Sequence, residues 1–353
     1  MNSPWRNKIN RALLELQEMA SIKEFTISGS EKNGAKKRKG VLMMKVKFYG
    51  VRGSYPVPGK DTVEFGGNTT CVTFTKEVEN IIYRIIIDSG SGIIQLGREI
   101  ITNYFGKKEC LNIPILFTHL HPDHTNGFPF FAPNFFKNAK LYLYGMDALK
   151  KNIEDVLSEQ MSPPSFPLEY SHLKSHREHL IADDGILSLA EVIPVWTPPV
   201  FSGAGGSLHI DSLFSVHAMQ AFAPSHPQQG AIYYRITDKE TEKSVVCIWD
   251  NESKSGGDRA VVNFSKGANV MIHDTQYTQE EYDSDKMIVQ GFGHSTYDMA
   301  VQNAVMAGVP NLYCMHFNPV HTDKKLHDIE EKWKGIAPPV KVALAREGME
   351  IEV

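Results

Sequence analysis

The chain has 353 residues, of which 42% are hydrophobic and 22% charged, so it can bury a large core as one or two globular domains. Its formal net charge of −4 gives no general attraction to nucleic acid or to anionic membranes. The four cysteines contain no CxxC pair, which argues against a disulfide framework and against a thiolate zinc site.

Residues 1–40 differ from the rest of the chain. Trp5, Ile9 and Leu13 recur at helical spacing, which predicts an amphipathic helix over 4–20, followed by the basic linker "SGSEKNGAKKRKG". A helix docked on its own domain, a homodimer contact and a targeting role all stay open for this appendage. Because no apolar run has the length of a signal peptide core or a membrane span, we expect a cytoplasmic protein without membrane contact.

From Met43 onward, short β-rich runs alternate with helical segments. The first are "MKVKFYG", "CVTFT" and "IIYRIIID", followed by a helix over 92–105 and the strand "IPILFTHL". Further strands are predicted at 140–144, 192–197, 213–222, 231–237, 244–249, 269–273 and 311–316, and helices at 146–160, 255–266, 295–308 and 323–334. This order predicts an α/β fold in which helices cover sheets, within a domain over 41–353 that carries an insertion at about 145–190.

The stretch "FTHLHPDHTNG" at 117–127 follows a buried strand directly. His119 and His121 can point the same way from an extended segment, while Asp123 and His124 follow after Pro122 bends the chain. One such cluster can serve two adjacent metal ions. The alternative is a polar turn that only closes the strand.

"THLHPDH" resembles the signature of the metallo-β-lactamase superfamily, and other parts of residues 43–350 extend the resemblance. "IIDSGSG" matches the strand and turn before that signature, with Asp88 as the acid that supports the ligands. Within the superfamily, the chain is most similar to the phosphodiesterase branch near RNase Z, which includes cyclic-nucleotide phosphodiesterases. The motifs that carry this likeness are "GVRGSYPVPG", "GGNTTC", "MSPPSFP", "HPQQG", "MIHDTQY" and "GFGHST". The resemblance implies an αββα sandwich of two mixed β-sheets flanked by helices.

The same resemblance implies a ligand set for two divalent ions. His119, His121 and His226 would hold one ion, Asp123, His124 and His316 the second, and Asp250 would bridge them. Imidazole and carboxylate ligands suit zinc first, with manganese or iron open. Two adjacent ions would activate water and clamp a phosphoryl group, so hydrolysis needs no protein nucleophile, and Asp123 counts as both a ligand and a catalytic residue.

Two further residues bear on the reaction. His294 precedes a helix whose start is marked by Ser295 and Asp298, so it could contact a phosphate bound at that helix terminus. Asp274 stands where the RNase Z branch carries the acid that partners such a histidine. A His–carboxylate pair can protonate a ribose oxygen as it leaves, whereas a structural histidine and a simple helix cap are the alternatives.

The charge of the predicted insertion bears on the substrate. Over 147–185 the sequence contains four Lys or Arg and eight Asp or Glu, a balance that disfavours a polyanion. We therefore expect a small phosphodiester, foremost a 3′,5′-cyclic nucleotide, rather than a nucleic acid. An RNase Z-like endoribonuclease and a phosphorylcholine esterase are the alternatives, ahead of a non-catalytic metal-binding module or a di-iron redox protein, which typically has Glu where this sequence has His121.

Overall fold

A computed structural model of the protein describes residues 42–79, 81–104, 110–146, 151–182, 184–189, 210–221, 230–336 and 340–353. The helix predicted over 4–20, its basic linker and the strand predicted at 192–197 lie outside these ranges. Among the described residues, no helix has both the length and the apolar character required to cross a bilayer.

The first sheet has seven strands in the order β14-β1-β2-β3-β4-β5-β6. Its strands are β1 Lys45–Gly50, β2 Cys71–Val78, β3 Ile81–Ile87, β4 Leu111–Leu116, β5 Ala139–Gly145, β6 His176–Ile181 and β14 Glu350–Glu352. The strands from β3 to β6 are parallel, and β1 and β2 pair antiparallel with their neighbours. Because β6 is the edge strand of this sheet next to β5, part of the predicted insertion belongs to the sheet.

The second sheet also has seven strands, in the order β13-β12-β11-β10-β9-β8-β7. Its strands are β7 Gly185–Leu187, β8 Phe214–Ala221, β9 Ala231–Asp238, β10 Ser244–Ile248, β11 Val270–Asp274, β12 Asn311–Met315 and β13 Lys341–Leu344. The strands from β10 to β13 are parallel, so the residues that follow β10, β11 and β12 emerge at one edge of the sheet.

The described α-helices flank the two sheets. They are α1 Ile93–Tyr104, α2 Pro122–Thr125, α3 Ile153–Gln160, α4 Ile210–Leu213, α5 Arg259–Ser265, α6 Gln279–Tyr282, α7 Tyr297–Ala307 and α8 Asp323–Ile336. The helices predicted near 92–105, 255–266, 295–308 and 323–334 are thus confirmed, as are most of the predicted strands.

The core follows from the alternation of side chains along the strands. In β3, Ile85 and Ile87 join a cluster that contains residues of both sheets, whereas Ile86 packs on the other face against Ile93 and Leu96 of α1. Both faces of β3 are therefore buried over residues 85–87, one against the second sheet and one against a helix. The α/β architecture of two mixed sheets with flanking helices is confirmed.

Candidate metal centre

The histidine cluster leaves the end of β4 and turns into the short helix α2. Pro122 occupies the first turn of α2, where its missing N–H is not needed, and the His124 N–H donates to the His121 carbonyl at 3.0 Å. His119 Nε2 lies 2.9 Å from His121 Nδ1, and Asp123 and His124 are buried. The side chains of Asp123 and His124 thus point into the protein, and the segment is not an exposed polar turn.

Two distant segments complete the cluster. Asp250 follows β10, and its carboxylate lies 3.3 Å from His119 Nε2 and 3.1 Å from His124 Nε2. His316 follows β12, and its Nε2 lies 3.2 Å from Asp250 Oδ1 and 3.2 Å from Asp123 Oδ2. Asp250 therefore stands between the two halves of the cluster, as predicted for a bridging ligand.

Three residues at these strand ends have unusual backbones. Asp88, Asp250 and His316 have φ values of 60°, 53° and 61°, in the left-handed region that residues other than glycine seldom adopt. Asp88 and His316 follow their strands directly and Asp250 follows β10 after one residue, so the backbone turns sharply where each side chain enters the cluster. Strain of this kind is retained where the surrounding structure fixes it, and it concentrates at functional sites.

Asp88 orients His124 within the cluster. Its Oδ2 lies 2.8 Å from His124 Nδ1 and also accepts hydrogen bonds from Thr118 Oγ1 at 2.8 Å and Trp249 Nε1 at 2.7 Å. Because Nδ1–H donates to this carboxylate, Nε2 is the ring nitrogen of His124 that faces Asp123 and Asp250, and it would bind an ion in place of its proton. A carboxylate behind a histidine is the usual support of a metal-binding imidazole.

The predicted His–Asp pair is present beside the cluster. His294 Nδ1 lies 2.7 Å from Asp274 Oδ2, and both residues are buried. Asp274 also accepts from the backbone N–H of Asp250 at 3.1 Å and of Gln276 at 3.0 Å, so its carboxylate is held on both sides. The rings of His294 and His316 stack with centroids 5.0 Å apart, which places the pair against the candidate ligands.

Burial and charge act in opposite directions on this site. Burial, despite the nearby Asp250 carboxylate, lowers the pKa of His119, which favours the neutral imidazole that a metal ion requires. Burial would raise the pKa of Asp123, but the charge of His124 and hydrogen bonds from His124 and His316 outweigh it and hold that pKa well below its usual range. The carboxylate is therefore ionised at neutral pH.

The donor set fits divalent ions. Potential ligand atoms lie within 4.8 Å of one another in three groups, namely His119, His121 and Asp250; Asp123, His124 and His316; and Asp250, Asp274, His294 and His316. Imidazole nitrogens and carboxylate oxygens packed this closely would repel one another without a cation or proton between them. His226, the remaining predicted ligand, lies outside the described residues.

Several residues contact the site although the sequence analysis assigned them no role, and two of them, Gly53 and Ser54, lie in the motif "GVRGSYPVPG". The backbone N–H of Ser54 donates to Asp123 Oδ2 at 2.8 Å, and Trp249 donates to Asp88 as described above. Gly53 lies so close to His316 that a Cβ built on it would be 2.4 Å from the imidazole. These contacts connect distant parts of the chain, so spacing along the sequence does not reveal them.

Comparison with known proteins identifies relatives in sequence and solved structures with the same fold. No family model matches the chain. Ribonuclease Z of Brevibacillus brevis is 27% identical over 254 residues, which cover 65% of this chain and 76% of that protein. The metallo-β-lactamase fold protein YhfI from Bacillus subtilis superposes with a TM-score of 0.55 at 18% identity, over 88% of this chain and 100% of that one. The chain is a metallo-β-lactamase-fold protein related to ribonuclease Z.

A second solved structure supports the same fold. Human tRNase Z, short form, superposes on this metallo-β-lactamase-fold protein with a TM-score of 0.50 at 18% identity, over 87% of this chain and 98% of that one. The predicted fold is thus confirmed. The similarity to ribonuclease Z and the buried His/Asp groups together support a metal-dependent hydrolase with this fold.

Proposed function

We propose that the protein is a dinuclear metal-dependent phosphodiesterase that cleaves RNA in the manner of its ribonuclease Z relatives. The observation that carries the proposal is the His294–Asp274 pair, 2.7 Å between Nδ1 and Oδ2, placed against a buried His/Asp cluster. β-Lactam or thioester hydrolysis does not need such a pair, whereas departure of a ribose oxygen does.

Each half of the cluster would hold one ion. His119 and His121 with the undescribed His226 would bind the first, and Asp123, His124 and His316 the second, with Asp250 between them. When bound, two divalent ions supply a water of lowered pKa and neutralise the charge on the phosphoryl oxygens. Zinc suits this nitrogen and oxygen donor set, and manganese and iron suit it as well.

His294 would handle the proton of the leaving group. Its Nδ1–H donates to Asp274, which fixes the ring orientation and stabilises the charged imidazolium. As the new P–O bond to water forms and the bond to the ribose oxygen breaks, His294 passes a proton to that departing oxygen. Asp274 acts by orienting His294 and is not itself the proton donor.

The similarity to ribonuclease Z favours RNA as the substrate, whereas the charge of the sequence favoured a small phosphodiester. The sequence favoured a cyclic nucleotide because residues 147–185 are acidic. A relative that matches 65% of this chain is nevertheless named a ribonuclease. A count of charges ignores where the side chains point, so it is weaker support than a match that extends over 254 residues.

A small phosphodiester is the second candidate, and the acidic segment is the observation that favours it. Lys151 forms an ion pair with Glu159, and Arg177 packs over the ring of Tyr170, so these two cations already have partners within the segment. A segment of this charge adds little electrostatic attraction for an RNA backbone. A cyclic nucleotide or a choline phosphodiester can bind without such attraction.

The test is a comparison of substrates with the purified protein loaded with zinc or manganese. The panel is a structured RNA with a 3′ trailer, 3′,5′-cAMP, 2′,3′-cAMP, a phosphorylcholine ester and bis-p-nitrophenyl phosphate. We expect kcat/KM for the RNA to exceed that for each cyclic nucleotide by about tenfold or more, and Asp123→Ala to abolish every activity. Higher kcat/KM on a small diester would favour the second candidate. Absence of all activity at full metal occupancy would refute both and leave a metal-binding module.

A further inference from the structure

The loop before His294 is held by one carboxylate, that of Glu252. Glu252 Oε1 accepts hydrogen bonds from Tyr282 Oη at 2.7 Å and from the Gly291 N–H at 2.7 Å. Its Oε2 accepts from the Gly293 N–H at 2.9 Å. Charge-assisted hydrogen bonds of this kind are roughly twice as strong as neutral ones.

The backbone of the loop is shaped for this contact. Gly291 and Gly293 have φ values of 87° and 82°, a conformation that side chains disfavour, and both direct their N–H groups at the same carboxylate. Phe292 between them is 49% exposed, so packing of its side chain does little to fix the loop. The carboxylate therefore orders the turn from Gly291 to Gly293, to which the side chain of Phe292 contributes little.

Contacts from the same segment fix the residues on the other side of His294. Ser295 Oγ donates to the Asn251 carbonyl and accepts from the Ser253 N–H at 3.1 Å. The Asp250 N–H donates to Asp274, the partner of His294. The segment 250–253 thus connects the candidate bridging ligand to the backbone before His294 and to the Ser295 hydroxyl after it.

We propose that Glu252 is a positioning residue that sets the place of the His294 imidazole relative to the metal centre. The inference rests on the proposed function, in which His294 delivers a proton to the departing oxygen. Loss of the carboxylate would free the Gly291 and Gly293 amides and allow the loop to shift. Proton transfer is sensitive to a shift of about 1 Å. The described candidate ligands lie outside the loop 289–293, so we expect both ions to be retained.

The variants Glu252→Gln and Glu252→Ala test this role, with Glu331→Gln as a matched control because Glu331 is an exposed carboxylate hydrogen-bonded to Lys334. On the RNA, we expect Glu252→Ala to lower kcat by about 10- to 100-fold with KM within about twofold. On bis-p-nitrophenyl phosphate, whose leaving oxygen needs no proton, the loss should stay within about threefold. Two metal ions per chain should remain, and Glu252→Gln should fall between wild type and Glu252→Ala.

A double variant separates positioning from general structural damage. Because Glu252 would act through His294, Glu252→Ala combined with His294→Ala should be no slower than His294→Ala alone. Multiplicative losses, or equal losses on both substrates, would overturn the inference.

Amide hydrogen exchange gives a readout that does not depend on catalysis. In Glu252→Gln, exchange over 289–294 should rise at least about tenfold while that of β10 to β12 stays unchanged. Unchanged exchange would overturn the inference even if the activity falls. If the wild type cleaves none of the diesters, the proposed function fails, and this exchange experiment still decides whether Glu252 holds the loop.

Discussion

The Nε2 atoms of His124 and His316 lie 3.3 Å apart, although 192 positions separate the two residues in the chain. Both atoms also lie near Asp250 Oδ1, at 3.1 Å and 3.2 Å. Asp88 already accepts the Nδ1–H of His124, so Nε2 is the atom of that ring that faces the second imidazole. Two imidazoles in this arrangement favour a cation between them, which is why the geometry supports a metal centre.

Metal content tests the bridging role of Asp250. The purified wild type should bind close to two divalent ions per chain, and Asp250→Ala should bind fewer than one, because Asp250 contacts both halves of the cluster. Elemental analysis by mass spectrometry after dialysis measures this. Asp298→Ala, at an exposed acid of α7, is the control, and two retained ions in Asp250→Ala would exclude the bridge.

The role of His294 is tested by the leaving group. His294→Ala should lower kcat on RNA by about 10²–10⁴ with both ions retained, and the loss should shrink on bis-p-nitrophenyl phosphate because p-nitrophenolate leaves without a proton. Asp274→Asn should show the same dependence more weakly, since it only orients the ring. Equal losses on both substrates would instead assign His294 to phosphate binding at the start of α7.

The close approach of Gly53 to the His316 imidazole is tested by adding one methyl group at residue 53. A Cβ at this position would lie 2.4 Å from both Nδ1 and Cε1 of His316, so Gly53→Ala should displace that imidazole and lower affinity for the second ion by about 10- to 100-fold. Competition with a chelator measures the affinity. Gly59→Ala is the matched control, because the nearest atom to its Cβ would be 3.9 Å away. Equal affinities in the two variants would show that His316 can move without cost.

Stability is tested at a buried ion pair that links the two sheets. Lys76 Nζ on β2 lies 2.7 Å from Asp238 Oδ1 on β9 and 2.8 Å from Glu240 Oε2, and the Lys76 and Asp238 side chains are fully buried. Lys76→Ala should lower the free energy of unfolding by about 3–5 kcal/mol, since it leaves a buried carboxylate without its cation. Denaturant unfolding measures this. Lys45→Ala, at an exposed lysine paired with Glu350, should cost less than about 1 kcal/mol.

The same pair predicts a pH dependence. Burial lowers the pKa of Lys76, but its hydrogen bonds to Asp238 and Glu240 outweigh burial, so the folded-state pKa lies above its ordinary value. A raised pKa contributes stability that is complete below the unfolded pKa and is lost as pH rises through the folded one. Wild type should therefore lose stability at alkaline pH above the ordinary lysine pKa more steeply than Lys76→Met, when both are followed by thermal unfolding. Parallel curves would contradict a charged Lys76.

The sequence by itself determined the local elements and most of the candidate ligands. The strands before Asp88, His119, Asp250 and His316 could be predicted because apolar runs of that length form buried strands, and the spacing of His119 to His124 lies within one loop. The pair of His294 and Asp274 came from resemblance, and the structure brings the two together.

Only the tertiary structure decided which distant residues support that site. The edge strands β13 and β14 are too short to show a periodic pattern, and β6 lies in a segment that read as an insertion. Ser54 and Trp249 contact residues of the centre, and Glu252 contacts the loop before His294, because the fold brings together segments that are remote in the chain. Periodicity reports which face a residue presents to its own sheet, but contacts between residues about 200 positions apart depend on how strands are ordered and packed, which no local pattern encodes.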